Sequence, residues 1–139
     1  MRKNKKEKTF TITEIYRDCE RIVVPDGTTN IFTDVNFQKP LTGILEVFIS
    51  DDVKYIGGCS FMNTSIKSLF IPYSVEKIES LAFYGCECLE EVIIENGSLL
   101  KEIEMGAFKN CPSLKELKIP RKTKVSVNSF DDTIVVKRK

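Results

Sequence analysis

Histidine and tryptophan are absent from the 139 residues. Without histidine the chain lacks the commonest general base, every Cys-His or Ser-His nucleophile pair and any histidine-containing metal site. Most hydrolase chemistries fall with it. No apolar run approaches the roughly 18 residues needed to cross a bilayer. The basic start MRKNKKEK leads into TFTITEIY, not into the apolar core of a signal peptide. That pattern places the chain in the cytosol. No GxxxxGK[ST] loop offers backbone amides to a phosphate. Adjacent carboxylates such as Asp51-Asp52, Glu90-Glu91 and Asp131-Asp132 alternate across a strand or sit in a turn, which leaves them solvated and not paired for acid and base work. No enzyme, cofactor or metal is expected. What is present, 42% apolar and 29% charged side chains, suits one soluble domain long enough to bury a core.

The net charge of +1, from 21 basic and 20 acidic residues, conceals an uneven distribution. Residues 1–8 and residues 121–139 each carry +4, which leaves residues 9–120 at −7. Clustered like charge usually marks a solvated tail or cap. Residues 1–8 are therefore expected to be a disordered tail. An acidic body argues against wrapping nucleic acid, where phosphate neutralisation dominates affinity.

An internal repeat organises everything between these ends. Residues 66–83, IKSLFIPYSVEKIESLAF, and residues 89–108, LEEVIIENGSLLKEIEMGAF, share one pattern. It reads apolar-x-x-apolar-x-Ile, a turn, apolar-x-x-Ile, then four residues before Phe. Another copy runs from Leu114 to Phe130, one from Ile44 to Phe61, and a weaker one uses Cys19, Ile22, Val24, Pro25 and Ile31, with Phe37 displaced by one residue. Each copy supplies two short extended stretches. The first alternates with the period of two that a half-buried strand requires, and Ile71-Pro72 and Ile119-Pro120 end it, because proline cannot continue a central ladder. A single turn cannot bury its apolar residues, but stacked turns can, at about 4.8 Å per step.

The run IPYSVEKIESLAFYGCECLEEVII resembles the BspA-type leucine-rich-repeat family, with its Ile-Pro, Val-x-x-Ile, Ala-Phe and Cys-x-x-Leu-x-x-Val-x-Ile segments. The resemblance implies a mainly β fold: a right-handed leucine-rich-repeat solenoid of about five turns, with short parallel strands and short helical or irregular connections. On this reading residues 9–18, with Phe10, Ile12, Ile15 and Tyr16, form an N-terminal cap. Residues 19–130 form the solenoid, and residues 131–139, with Ile134 and Val136, form a basic C-terminal cap. Glu79, Glu104 and Ser126 stand where the family commonly has Gly, and the connection ENGSLL is long. Cys86 and Cys111 fall three residues after Phe83 and Phe108. They are expected to pack as small core side chains in equivalent positions, and Cys86-x-Cys88 lacks the usual zinc spacing.

Strand parity then predicts a binding face. If Val92 and Ile94 point inward, the outward row is Val23, Phe48, Phe70, Ile93 and Lys118, beside a second row of Arg21, Glu46, Ser68, Glu91 and Glu116. Asp51 and Tyr73 lie on the rim. Four of the five members of the first row are apolar, and exposed apolar rows often mark interaction sites; cross-strand pairing that merely stabilises the sheet is the competing explanation. The leading expectation is a non-catalytic, monomeric protein-interaction module whose partner is another protein, with nucleic acid disfavoured and no membrane insertion. A small cytosolic inhibitor or adaptor is one alternative. A fragment or relative of a surface adhesin, which the family resemblance implies, is another. Nucleic-acid binding through the basic ends is the remaining one.

Overall fold

Residues 6–13, 16, 18–34 and 41–139 are described by the computed structural model. Two sets of strands alternate along the chain. The back set is β1 (Thr9–Ile12), β3 (Asn30–Thr33), β5 (Tyr55–Ile56), β7 (Lys77–Ile78), β9 (Glu102–Ile103) and β11 (Lys124–Val125). The front set is β2 (Arg21–Val23), β4 (Glu46–Phe48), β6 (Ser68–Ile71), β8 (Glu91–Ile94), β10 (Glu116–Ile119) and β12 (Val135–Arg138). Every pairing is parallel, between equivalent residues of successive turns: Leu69 opposite Val92, Ile78 opposite Ile103, Leu117 opposite Val136. The expected mainly β solenoid is therefore present. It has six rungs per set where five turns were expected, because segments anticipated as caps supply β1 and β12.

Inward residues form continuous columns. Phe61, Phe83 and Phe108 are fully buried and, with Phe130, stack at centroid separations of 5.4, 5.3 and 6.0 Å. This phenylalanine column runs through the turns that join each back strand to the next front strand. The turns repeat two left-handed positions, one just before the Ala or Ser that precedes Phe (Cys59, Leu81, Gly106, Asn128) and one two residues after it (Asn63, Gly85, Asn110). Only Gly adopts that conformation freely, so Leu81 at φ 62° is held there by its surroundings. Its N–H donates to Met105 O, and its side chain fills the space that a Cβ on Gly106 would need.

The two sheets are not equivalent. The back set forms one six-stranded sheet, whereas the front set is divided into the pairs β2-β4, β6-β8 and β10-β12. The residue that leaves each strand explains the difference. On the back, Gly57, Glu79, Glu104 and Ser126 each donate their N–H to the preceding turn at 2.9–3.0 Å, so substitution of the family's Gly leaves the ladder intact. On the front, Glu95 and Lys139 do the same for the Ile71 and Ile119 carbonyls, both at 3.0 Å. The equivalent residues after β6 and β10 are Pro72 and Pro120, which have no N–H to give. The breaks fall at those two junctions. Lys139 Nζ takes up the Ile94 carbonyl that Pro120 cannot serve, at 2.9 Å.

At the N-terminal end Lys8 exchanges hydrogen bonds with Thr29, and Phe10 meets Tyr16 edge to face at 5.9 Å. Residues 1–5 of the anticipated tail, Ile15 of the anticipated cap and Phe37 of the first repeat lie outside the described residues. At the other end Ile134 is buried, while Val136, on the outermost rung, is partly open. The long connection Glu95–Leu100 folds back on the previous turn: Tyr73 N–H donates to the Glu95 carboxylate at 2.8 Å and Leu99 N–H to Tyr73 O at 2.9 Å.

Candidate protein-binding face

Alternation within the front strands turns Ile22, Val47, Leu69, Val92 and Leu117 inward and their neighbours outward. Val23, Phe48, Phe70 and Ile93 are 57, 50, 48 and 47% exposed. They stand in register as Val23 beside Phe48 and Phe70 beside Ile93, and the row continues with Lys118 beside Lys137. The four apolar residues thus follow one another from the first to the fourth front rung. Glu46, Ser68, Glu91 and Glu116 form the exposed neighbouring row, and Asp51 and Tyr73 are exposed on the rim.

Charges fasten both ends of this face. Arg21 Nε lies 2.8 Å from the Glu46 carboxylate, and its guanidinium sits 5.5 Å from the centre of the Phe48 ring. Toward the other end Glu116 accepts from Lys137 at 2.9 Å and lies 3.8 Å from Lys118. The Lys137 hydrogen bond holds the Glu116 carboxyl below its ordinary range. Between these anchors the break after β4 opens a cleft of about 460 Å³ lined by Leu45, Phe48, Lys67 and Phe70 among others. A second cleft, about 390 Å³, lies at the β8/β10 break, lined by Ile93, Lys115 and Lys118 among others.

Leu45, 51% exposed, escapes the parity argument. Alternation holds only within the strand, and the chain bends just before it, so Ile44 is buried and Leu45 turns out. The clefts also escape it, although the positions of Pro72 and Pro120 were the available signal.

The opposite face has a different chemistry. Lys77 sits 2.7 Å from Glu104 and 3.8 Å from Glu102, and Lys101 lies 3.4 Å from Glu76. Burial pushes the Glu104 carboxyl up, but hydrogen bonds from Lys77 and from the Ser80 N–H and hydroxyl outweigh it and leave the group below its ordinary value. The Glu104 hydrogen bond correspondingly raises Lys77.

Cys86 and Cys111 occupy one buried column with Thr64. Their thiols donate to Phe61 O at 3.3 Å and Phe83 O at 3.4 Å. Burial pushes them up to about 11 and about 12. All five cysteines are free thiols, and Cys88 is the exposed one. Among the described residues no three His, Cys, Asp or Glu side chains gather in a metal-binding cluster. No helix among them is long and apolar enough to cross a membrane.

The sequence pattern of the family described as "BspA type Leucine rich repeat region" matches residues 14–137 in six copies. Among curated proteins none matches the chain. Three solved structures share its fold. The pneumococcal vaccine antigen PcpA superposes with a TM-score of 0.68 at 18% identity, over 86% of this chain and 30% of its own. A leucine-rich repeat protein from Bacteroides ovatus ATCC 8483 gives 0.52 at 24% identity, over 79% and 34%. A leucine rich cell surface protein from Faecalibacterium prausnitzii A2-165 gives 0.55 at 18% identity, over 89% and 43%. The chain spans less than half the length of each.

Proposed function

This chain belongs to the BspA-type leucine-rich-repeat family, and from that premise we propose that it is a non-catalytic protein-interaction module that binds another protein through the front face. The observation that carries the reading is the apolar row Val23, Phe48, Phe70 and Ile93, about half exposed at each position on a preformed sheet. Contiguous exposed apolar side chains favour association because their burial releases water, and large aromatics among them are the usual anchors. Glu46, Ser68, Glu91, Glu116, Asp51, Tyr73 and Lys118 would form the polar rim that sets specificity. An adaptor or an inhibitor that masks a partner's surface would use the same geometry.

The experiment is to replace Phe48 and Phe70 together by Asp. The circular dichroism spectrum should be kept and melting should shift by no more than a few degrees, while a partner captured from the source cells by the unaltered chain is lost. Capture that survives the double change would move the site elsewhere. A second reading, an adhesin-like module displayed on a cell, draws support from the surface protein of F. prausnitzii that shares the fold. Labelling of intact cells with a membrane-impermeant amine reagent tests it: labelled chain supports display, and label confined to lysed cells rejects it.

A further inference from the structure

We infer that Asn96-Gly97 is a site of self-modification, at which the Asn96 side chain loses its amide and becomes aspartate or isoaspartate without an enzyme. It is the one Asn-Gly pair in the sequence, and it forms an exposed turn in the connection between β8 and β9. In the reaction the backbone nitrogen of Gly97 attacks Asn96 Cγ. The Cγ–Nδ2 bond breaks, the departing nitrogen takes up a proton as the Gly97 amide gives one up, ammonia leaves, and a five-membered succinimide closes. Water then opens the ring. Opening at Cγ gives aspartate, and opening at the main-chain carbonyl gives isoaspartate, with the backbone routed through the former side chain. Asparagine and water are consumed, a carboxylate and ammonia are formed, and nothing is oxidised or reduced.

Three features of the turn favour the attack. A side chain on the residue after asparagine hinders ring closure, and Gly97 has none; nothing lies within 4 Å of the place a Cβ would take. Among the described residues neither the Gly97 N–H nor the Asn96 N–H donates a hydrogen bond. The nucleophile is therefore free of any bond that must first break, and the backbone on both sides of Asn96 Cα can turn locally. Lys139 Nζ lies 3.5 Å from Asn96 Oδ1, the oxygen on which negative charge builds during attack, and a cation there stabilises the developing oxyanion.

A second turn of the same shape shows what distinguishes this one. Asp26-Gly27 occupies the equivalent place after β2. Gly27 has φ 83° and Gly97 φ 76°, and both have open space where a Cβ would stand. The difference lies at the amide. Gly27 N–H donates to the Asp52 carboxylate at 2.9 Å, which holds the proton and sets negative charge beside the nitrogen. The residue at the place of Asp52 one turn beyond Gly97 is Lys122, whose ammonium has no acceptor to offer.

The product alters the rim of the front face. Lys139 also donates to the Ile94 carbonyl and lines the cleft at the β8/β10 break. A carboxylate at residue 96 draws that ammonium outward and adds one negative charge beside the cleft. The change is irreversible once ammonia is lost, so the charge of this rim depends on the age of the molecule.

The test is to hold the full chain at about pH 7.5 and about pH 9, follow its fold by circular dichroism, and digest samples with trypsin. The peptide of residues 78–101 contains Asn96 as its only asparagine. Mass spectrometry should show its amide replaced by a carboxyl progressively from the zero-time baseline, and faster at the higher pH because the deprotonated amide attacks. Asp26→Asn puts the same pair in the second turn, where conversion should be at least about tenfold slower than at Asn96 in the same molecule. Adding Asp52→Ala should bring the two rates together. Retention of the amide at Asn96 by the folded chain, while the isolated 78–101 peptide loses it, overturns the inference. Equal rates at residues 26 and 96 with Asp52 in place overturn it as well, since the free Gly97 amide would then confer nothing.

Discussion

The two sheets of this solenoid share one interior and differ in what they do with their outer surfaces and their hydrogen bonds. On the back, each strand exit keeps an N–H for the preceding turn, and the outward side chains include Lys77, Lys101, Glu76, Glu102 and Glu104 tied in ion pairs. On the front, two exits are proline, the sheet parts into three pairs, and the outward row is apolar over its first four rungs. A face whose backbone and charges are mutually satisfied has little to offer a partner. A face with aromatic side chains in water and clefts between strand pairs has unspent contact energy. The same repeat thus yields a continuous, ion-paired sheet on one side and a parted, partly apolar one on the other.

The sharpest test of this division sets two phenylalanines against each other. Phe83 lies at the centre of the stacked column with no exposure, and Phe70 stands about half exposed on the front. Phe83→Ala should cost about 3–5 kcal/mol, since the rings above and below cannot close over the cavity. Phe70→Ala should cost less than about 1 kcal/mol. Urea unfolding monitored by circular dichroism gives both values. Equal costs would mean that the outward row belongs to the core.

The columns of the interior were legible because the turn length is nearly constant: Ile56, Ile78 and Ile103 recur at the same point of each repeat and meet in register. Outward direction was equally readable for Phe48, Phe70 and Ile93, because a strand has only two sides. The count of turns was not. Thr9–Ile12 and Val135–Arg138 carry half a repeat each, and half a pattern does not register as a copy. The division of the front sheet was hidden for another reason. Proline reads as a strand end in any single repeat, and its effect on the junction with the turn before appears only once the turns are stacked. Leu45 was missed because parity is defined by a strand that it precedes.

The thiol column extends the comparison to the turns that join the sheets. Cys86 and Cys111 titrate at about 11 and about 12 because burial penalises the thiolate, whereas an unfolded thiol titrates near its ordinary 9.0. A folded value raised above the unfolded one gives stability that is whole below about pH 9 and is lost as pH climbs toward the folded values. Melting temperature should therefore fall steeply between about pH 9 and pH 11. Replacing both residues by Ser should flatten that slope. Iodoacetamide at about pH 8 should modify the exposed Cys88 first and spare both buried thiols until unfolding.

On the back face the expected effect is smaller. Glu104→Gln removes the carboxylate that accepts from Lys77 and from the Ser80 N–H and hydroxyl, and should cost about 1 kcal/mol at neutral pH. Because the Glu104 carboxyl is held below its ordinary 4.5, its contribution is present above that value and disappears as pH falls through the folded one. The gap in melting temperature between the natural chain and Glu104→Gln should close in acid. A gap that stays constant with pH would assign the cost to packing and not to charge.

The smallest change bears on the origin of the front breaks. Pro72→Ala gives β6 an N–H at the position where Glu95 of the next turn donates to Ile71, aimed at the carbonyl of Ile49. One added hydrogen bond contributes about 1 kcal/mol. Loss of proline loosens the unfolded chain and costs about the same. Stability should consequently move by less than about 0.5 kcal/mol, and melting is the wrong readout. Amide exchange is the right one, because protection requires a hydrogen-bonded N–H. The new amide at residue 72 should exchange slowly, and amides of β4 and β6 facing the cleft should gain protection as the two pairs close into one sheet. Fast exchange at residue 72 would show that proline accompanies the break without causing it, and that bulk at the cleft, chiefly Leu45, Phe48 and Phe70, keeps the strands apart.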